Sequence, residues 1–444
     1  MTKGASPHSL PLTPPRRMRA IPEASPIGLS AAEPLRHGRL YSRFAAGARS
    51  GMWILLLGTM LLGAGCSGPA ERFRYGADRV FDEPYWSWIR GKKLGLITNQ
   101  TGVTSRLEPL YKQLQAHPEV HLTTLFAPEH GLFGEHQAGE PVASGANVYS
   151  LYGGTRKPTP AMLRNVEVLV YDIQDVGARF YTYISTLGLA MEAAAEAHIP
   201  FLVLDRPNPL GGDRIEGPVL EPEFQSFVGF YPLPIRYGMT PGELAGWIKE
   251  RRNLDLVLWV VPMSGWKRSD YFDSLGREWI APSPNIPTPR TALVYAGTCL
   301  FEGTNLSEGR GTTRPFELFG APWMNATVLA TLLNNSGLPG VYFRVQPFRP
   351  TFSKYAGETC QGLQIHVTDP REFRPVETAL TILRELLNLH PEDFRFDAER
   401  FDALVGNSWV RRMLIDSRAV TAIVDRWRPD LENFAREREK YLLY

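Results

Sequence analysis

The chain has 444 residues, 43% of them hydrophobic and 21% charged, with a formal net charge of +2. This is ordinary globular composition, long enough for two or three domains. The lack of a basic block after Cys66 argues against an electrostatic nucleic-acid binder. Three cysteines, Cys66, Cys299 and Cys360, with no CxxC spacing exclude a disulfide scaffold. Cys299 and Cys360 read as buried small apolar residues.

Residues 1–48 are rich in Pro, Arg, Ser and Ala and carry no sustained apolar period, so they read as a disordered extension. Arg43 and Arg49 then precede an apolar run of thirteen residues, Met52 to Ala64. A membrane span needs roughly 20 residues, so the run fits the core of a signal peptide instead. It leads into Leu62-Gly63-Ala64-Gly65-Cys66-Ser67, which resembles a bacterial lipobox with Cys66 as the lipidated residue. Gly63 stands where a large aliphatic residue is usual, and a plain secretory peptide cut nearby is the alternative. The expectation is an exported protein, membrane-anchored through Cys66 and periplasmic or cell-surface, whose folded part begins after residue 65.

From residue 92 the chain alternates short apolar runs with helical patterns. Residues 92–98 read as a strand entering the polar turn Asn99-Gln100-Thr101-Gly102. Residues 107–115 have helical spacing. Strands follow at 120–127, ending in Pro128-Glu129-His130-Gly131, and at 166–172, ending in Ile173-Gln174-Asp175. A helix follows, with Ile184, Leu187, Met191, Ala194 and Ala195 forming one face. A strand at 200–204 ends in Asp205-Arg206-Pro207-Asn208-Pro209. Thr240-Pro241 begins another helix, over 243–249, and 254–261 reads as a strand. This pattern predicts an α/β fold: a parallel-sheet domain, covered on both faces, over 66–288. Beyond the Pro-rich stretch 282–289, a Gly/Thr/Arg-rich loop at 302–315, a strand at 362–367 and a helix at 376–389 predict a smaller α+β domain over 289–444.

Ligands of open parallel sheets bind at the carboxyl ends of the strands. Those ends carry Asn99, Glu129, Asp172, Asp175, Asp205 and Asn208. Asp and Asn also cap helices and bend turns, so some of these are structural. Glu129 is a poor turn former placed directly after an apolar strand. Clustered carboxylates suit glycoside hydrolysis, in which one is protonated and another ionised. Glu135 and Glu140, on the glycine-rich loop after Glu129, are further candidates. Tyr149, Tyr152, Phe180, Tyr181 and Tyr183 could stack on sugar rings or simply fill the core. Arg179, Arg206, Arg236, Arg290 and Arg310 are candidate partners for a ligand carboxylate. His130, His136, Glu129 and Asp172 could instead hold zinc, but HExxH is absent. The 302–314 loop lacks the phosphate-binding signatures.

These strings, in this order, are specific: Asn99-Gln100-Thr101-Gly102; Pro128-Glu129-His130-Gly131-Leu132-Phe133-Gly134; Tyr171-Asp172-Ile173-Gln174-Asp175-Val176-Gly177 with Arg179-Phe180-Tyr181-Thr182-Tyr183; Asp205-Arg206-Pro207-Asn208-Pro209; Pro282-Ser283-Pro284-Asn285-Ile286-Pro287; and Glu302-Gly303-Thr304-Asn305 with Ser307-Glu308-Gly309-Arg310-Gly311-Thr312. Together they resemble the exo-β-N-acetylmuramidase family called NamZ, over nearly all the chain after residue 92. The resemblance implies a Rossmann-like parallel-sheet domain followed by the smaller C-terminal domain, with the site in the cleft between them, and hydrolytic release of N-acetylmuramic acid from non-reducing ends of peptidoglycan fragments; no cofactor and no metal are expected. It implies Glu129 as the leading catalytic carboxylate. Glu135 is the chosen second group, with Asp172, Asp175 and Glu302 open, and the substrate's acetamido group could assist instead. Asn99, His130, Asp172, Asp175, Arg179, Tyr181, Asp205, Arg206, Asn208, Glu302, Asn305 and Arg310 are the expected substrate-binding set. The alternative is a non-catalytic lipoprotein that binds cell-wall sugars.

Overall fold

The computed structural model describes residues 73–137, 139–140 and 148–444. The expected leader, lipobox and Cys66 lie outside these residues. A short helix α1 (Trp86–Ile89) precedes β1 (Lys93–Thr98), α2 (Leu110–Ala116), β2 (His121–Ala127), β3 (Val148–Ser150), β4 (Val168–Asp172), α3 (Tyr183–Glu196), β5 (Phe201–Leu204), α4 (Pro241–Arg251) and β6 (Leu258–Val261). These six strands form one sheet in the order β3-β2-β1-β4-β5-β6, every pair parallel. The order reverses between β1 and β4, as in doubly wound sheets.

The second half contributes α5 (Pro289–Thr298), β7 (Leu318–Ala321), α6 (Ala326–Asn335), β8 (Val341–Val345), β9 (Gln361–Val367), α7 (Pro375–Leu389), α8 (Ala398–Val405), α9 (Trp409–Ile415) and α10 (Val420–Arg438). Its three strands form a small antiparallel sheet, β7-β9-β8. The α/β sheet and the smaller α+β part are the architecture that the strand–helix alternation predicts.

Alternation along each strand explains why both sheet faces must be covered. In β4, Val168 and Val170 enter one apolar core with Leu94, Leu96, Leu202 and Leu204. Leu169 and Tyr171 enter the other with Ile97, Phe201, Val203 and Leu187. That second core continues without a break into Leu363, Ile365, Leu380 and Leu383 of the C-terminal half. The halves are therefore packed through shared apolar surface within one compact unit.

Capping explains most boundaries. Thr240 accepts from Glu243 N and Glu243 accepts from Thr240 N, a reciprocal box that starts α4. Thr288, Asn325 and Asp397 cap α5, α6 and α8 in the same manner from their side chains. Helix α2 begins three residues later than its apolar spacing suggests. Leu107 is left-handed at φ +63, and Pro109 takes the cap position.

Two buried carboxylates at the strand ends hold this half of the fold together. Asp172, at the end of β4, pairs with Arg206 just past β5 at 2.6 Å, and both are essentially solvent-free. Arg206 also donates to Val103 O at 2.8 Å and lies over the Tyr75 ring at 4.8 Å. Asp205 accepts from Gly242 N at 2.7 Å, Thr240 Oγ1 at 2.8 Å and the C-terminal Tyr444 hydroxyl at 2.7 Å. One side chain thus ties β5 to the start of α4 and to the chain end. Burial, the dominant influence, pushes the Asp205 carboxyl up to about 7.

Removing one partner of a buried ion pair leaves an uncompensated charge. Arg206→Met should destabilise the protein by about 3–5 kcal/mol in urea unfolding. Asp172→Leu combined with Arg206→Met should recover most of that loss; a double variant as unstable as the sum of two damaging singles would contradict the pairing. Asp205 sets a pH dependence. Its folded-state carboxyl titrates well above the unfolded value of about 3.9, so the folded state holds the proton more tightly. Its contribution to stability is full below about pH 4 and is lost as pH rises through about 7. Asp205→Asn should therefore lose less stability than the native chain between pH 4 and 7; parallel curves would contradict this.

Candidate active site

A cleft of about 570 Å³ opens between the end of β2, the loop before α3 and the C-terminal half. Glu129 follows β2 and is 8% exposed. Its Oε2 accepts from Thr182 Oγ1 at 2.7 Å and its Oε1 from Gly139 N at 3.1 Å. The Tyr152 hydroxyl lies against the same carboxylate. Burial first, then the charge and hydrogen bond of Glu129, push this hydroxyl up to about 12. Among the described residues no cation lies within ion-pair distance of Glu129. The Thr182 and Tyr152 hydroxyls can each turn from donor to acceptor. The frame therefore suits a carboxyl in either protonation state.

His130 lines the cleft in a left-handed conformation, φ +73. Its Nδ1 lies 2.8 Å from the His136 carbonyl, which can only accept, so Nδ1 carries the proton and Nε2 is left as an acceptor. Burial, above all, lowers its pKa, with the opposing pull of Glu129 second. The ring is thus held neutral as one tautomer.

The facing wall is an ion-pair lattice. Glu302 accepts from Arg310 at 2.7 Å and from Arg400 at 2.5 Å. Glu308 lies 3.5 Å from Arg310 and 3.2 Å from Lys354. The Lys354 ammonium also reaches the carbonyls of Phe301 and Leu306, at 2.9 and 3.0 Å. Burial pushes Glu302 up, but Arg310 and then Arg400 outweigh it and hold the carboxyl below its ordinary value. Tyr181, Phe180 and Tyr295 supply apolar surface between the two walls.

Of the expected set, Glu129, His130, Tyr181, Glu302 and Arg310 converge on this cleft. The others are engaged elsewhere. Glu135 is half exposed, lies outside the cleft lining and faces His136 at 3.6 Å. Asp172 and Arg206 are consumed by their own ion pair, Arg206 bordering a separate cavity of about 250 Å³. Asp175 accepts from Gly177 N at 2.7 Å and from the Tyr237 hydroxyl, and burial pushes it up to about 6. Asp205 anchors α4. Asn208 accepts from Leu210 N and donates to Met239 O at 3.0 Å. A Cβ on Gly177, which sits at φ +79, would come within 2.3 Å of the Asn208 oxygen, so these two motifs require each other. Arg179 is fully buried and donates to the carbonyls of Pro218, Leu233 and Leu404, stitching the halves together. Asn305 clamps the 393–395 turn, donating to Asp393 O and accepting from Arg395 N.

Asn99 acts one step removed. It donates to the Tyr183 hydroxyl at 2.9 Å, and that hydroxyl donates to Pro282 O at 2.6 Å beside the Glu129 backbone. Residues beyond the expected set are Thr182, Glu308, Lys354, Arg400 and Arg156. Thr182 and Glu308 sit inside the specific strings, where their neighbours drew attention first. Lys354, Arg400 and Arg156 stand in segments with no spacing signal. Among the described residues no three His, Cys, Asp or Glu side chains converge as a metal site needs.

Comparison with known proteins identifies the family. The model of the N-terminal part of exo-beta-N-acetylmuramidase NamZ matches residues 94–290, and that of the C-terminal part matches 293–444. The chain is 50% identical over 367 residues to the peptidoglycan beta-N-acetylmuramidase NamZ of Bacillus subtilis strain 168, spanning 81% of this chain and 89% of that one. A crystal structure of a DUF1343 family protein from Bacteroides fragilis NCTC 9343 superposes with a TM-score of 0.78 at 41% identity, over 85% of this chain and all of the other. A second from the same organism gives 0.68 at 30% identity, over 84% and 99%. With both parts of the family matched in order around one shared cleft, this chain belongs to the exo-beta-N-acetylmuramidase NamZ family.

Proposed function

We propose that this chain is an exo-acting glycoside hydrolase that releases N-acetylmuramic acid from the non-reducing ends of peptidoglycan fragments. One observation carries the reading. Glu129 is the strand-end carboxylate that faces open space, held on both oxygens and unpaired with any cation among the described residues. In the mechanism it suits, Glu129 gives its proton to the glycosidic oxygen as the C1–O bond breaks; water then adds at C1 and loses a proton, which restores Glu129 directly or through solvent. Glu302 keeps its negative charge because Arg310 and Arg400 outweigh burial. The cleft thus holds carboxylates in different electrostatic settings, Glu129 without a cation and Glu302 paired with two, as this chemistry uses. Glu302 replaces Glu135 as the second carboxylate of the site, because Glu135 lies outside the cleft lining.

The muramidase relative supports a peptidoglycan-derived substrate. Export and anchoring through Cys66 belong to the same proposal: a lipidated Cys66 would hold the enzyme where its polymer is. The short apolar run ending at a cysteine supports this.

A chromogenic β-N-acetylmuraminide, assayed beside the matching N-acetylglucosaminide, tests the reaction. Glu129→Gln should fold and lose about 10²–10⁴-fold in kcat, whereas Glu135→Gln should stay within about threefold of the native rate, as expected for a solvated side chain. Comparable loss in both variants, or none in Glu129→Gln, would remove Glu129 from its proposed role. For the anchor, Cys66→Ser should move the protein from the membrane fraction to the soluble fraction of its native host. Unchanged membrane association would refute lipidation.

A further inference from the structure

N-acetylmuramic acid differs from N-acetylglucosamine by a lactyl ether on C3, which ends in a carboxylate. Selective binding requires a cation in the cleft that is not already neutralised. Among the described residues four basic side chains line it: Arg156, Arg310, Lys354 and Arg400. Three belong to the lattice with Glu302 and Glu308, each within 3.2 Å of a carboxylate. A further carboxylate brought there meets Glu302 and Glu308 at close range, and like charges repel.

Arg156 is different. It is exposed, and among the described residues it pairs with no carboxylate. Its guanidinium lies over the Phe227 ring at 4.3 Å. Stacking uses the face of the guanidinium and leaves the in-plane N–H groups free for a bidentate contact. Phe227 is itself held: its carbonyl accepts from the buried Ser185 at 2.8 Å, and its ring packs against Tyr152 at 6.2 Å. Tyr152 in turn touches Glu129. Glu129, Tyr152, Phe227 and Arg156 therefore form a continuous wall, with the proton donor at one end and a free cation at the other. A muramoyl ring needs this layout, because bond breaking occurs at C1 while the carboxylate hangs from C3.

We infer that Arg156 receives the lactyl carboxylate and sets the preference for muraminides over glucosaminides. The inference rests on the hydrolase reading above and replaces Arg179 and Arg206, which are engaged within the fold, and Arg310, which is neutralised.

The test compares the chromogenic muraminide with its lactyl methyl ester, which keeps the shape and removes the charge. The native enzyme should prefer the acid by about 10- to 100-fold in kcat/KM, the scale of a charge-assisted hydrogen bond. In Arg156→Gln the acid should fall to the level of the ester, with the ester unchanged within about twofold. Arg156→Lys should restore part of the preference. If Arg156→Gln still discriminates acid from ester as the native enzyme does, or if Arg310→Gln alone abolishes the discrimination, the assignment is overturned. Should the native chain cleave neither substrate, the hydrolase reading falls. Calorimetric binding of N-acetylmuramic acid against N-acetylglucosamine, in native and Arg156→Gln proteins, then decides the assignment: a preference surviving the substitution refutes it, and its disappearance supports it.

Discussion

A carboxylate carried into the interior at the end of a parallel strand must find a partner or face a cavity. That constraint organises this protein. The strand ends bring Glu129, Asp172, Asp175 and Asp205 to one edge of the sheet. Asp172 takes Arg206, Asp175 takes Tyr237 and a backbone amide, and Asp205 takes Thr240, Gly242 and Tyr444. Each of those contacts closes a gap between elements and so contributes to the fold. Glu129 alone of the four borders the main cleft, held by hydroxyls and an amide. The same physical need that makes three carboxylates structural leaves the fourth available for chemistry.

The second half of the chain completes that cleft. Its elements share an apolar core with the parallel sheet, and Arg179 reaches across to a carbonyl of α8. This packing sets the lattice of Glu302, Glu308, Arg310, Lys354 and Arg400 opposite Glu129. Salt bridges within the lattice satisfy charges that burial would otherwise penalise, so the wall is fixed before any substrate arrives. A site built across such an interface is sensitive to the packing of both halves. Asn99 shows how: it touches Tyr183 rather than the cleft, yet through it supports the loop carrying Pro282 and the backbone at Glu129.

The sheet was legible because its strands are near-continuous apolar runs ending in polar turns, as in Val168–Asp172. The three-residue β3 is too short a pattern to stand out, whereas the edge strand β8, Val-Tyr-Phe-Arg-Val, is rich in strand-forming residues and does carry a signal. Helices α5 and α8 did carry signals, Thr288-Pro289 and Asp397 with Gly406, that the weaker periodicity around them obscured. In the site, Glu129 was legible because glutamate has little reason to follow a strand and precede a glycine turn. Residue type alone could not separate it from Asp172, Asp175 and Asp205, since topology brings all four to the same edge and only side-chain direction distinguishes them. Glu135 sits on the glycine-rich loop that follows, half exposed and facing His136. Lys354 and Arg400 are brought to the cleft purely by tertiary packing, and no local pattern could announce them.

The most direct test of this account is a crystal structure of Glu129→Gln with a β-N-acetylmuramoyl disaccharide bound. The scissile glycosidic oxygen should lie within hydrogen-bonding reach of residue 129, with the sugar ring between the Tyr152 wall and the Glu302–Arg310 lattice. A disaccharide seated instead in the smaller cavity beside Arg206, with its scissile bond remote from residue 129, would contradict the claim that Glu129 is the strand-end carboxylate that does the chemistry.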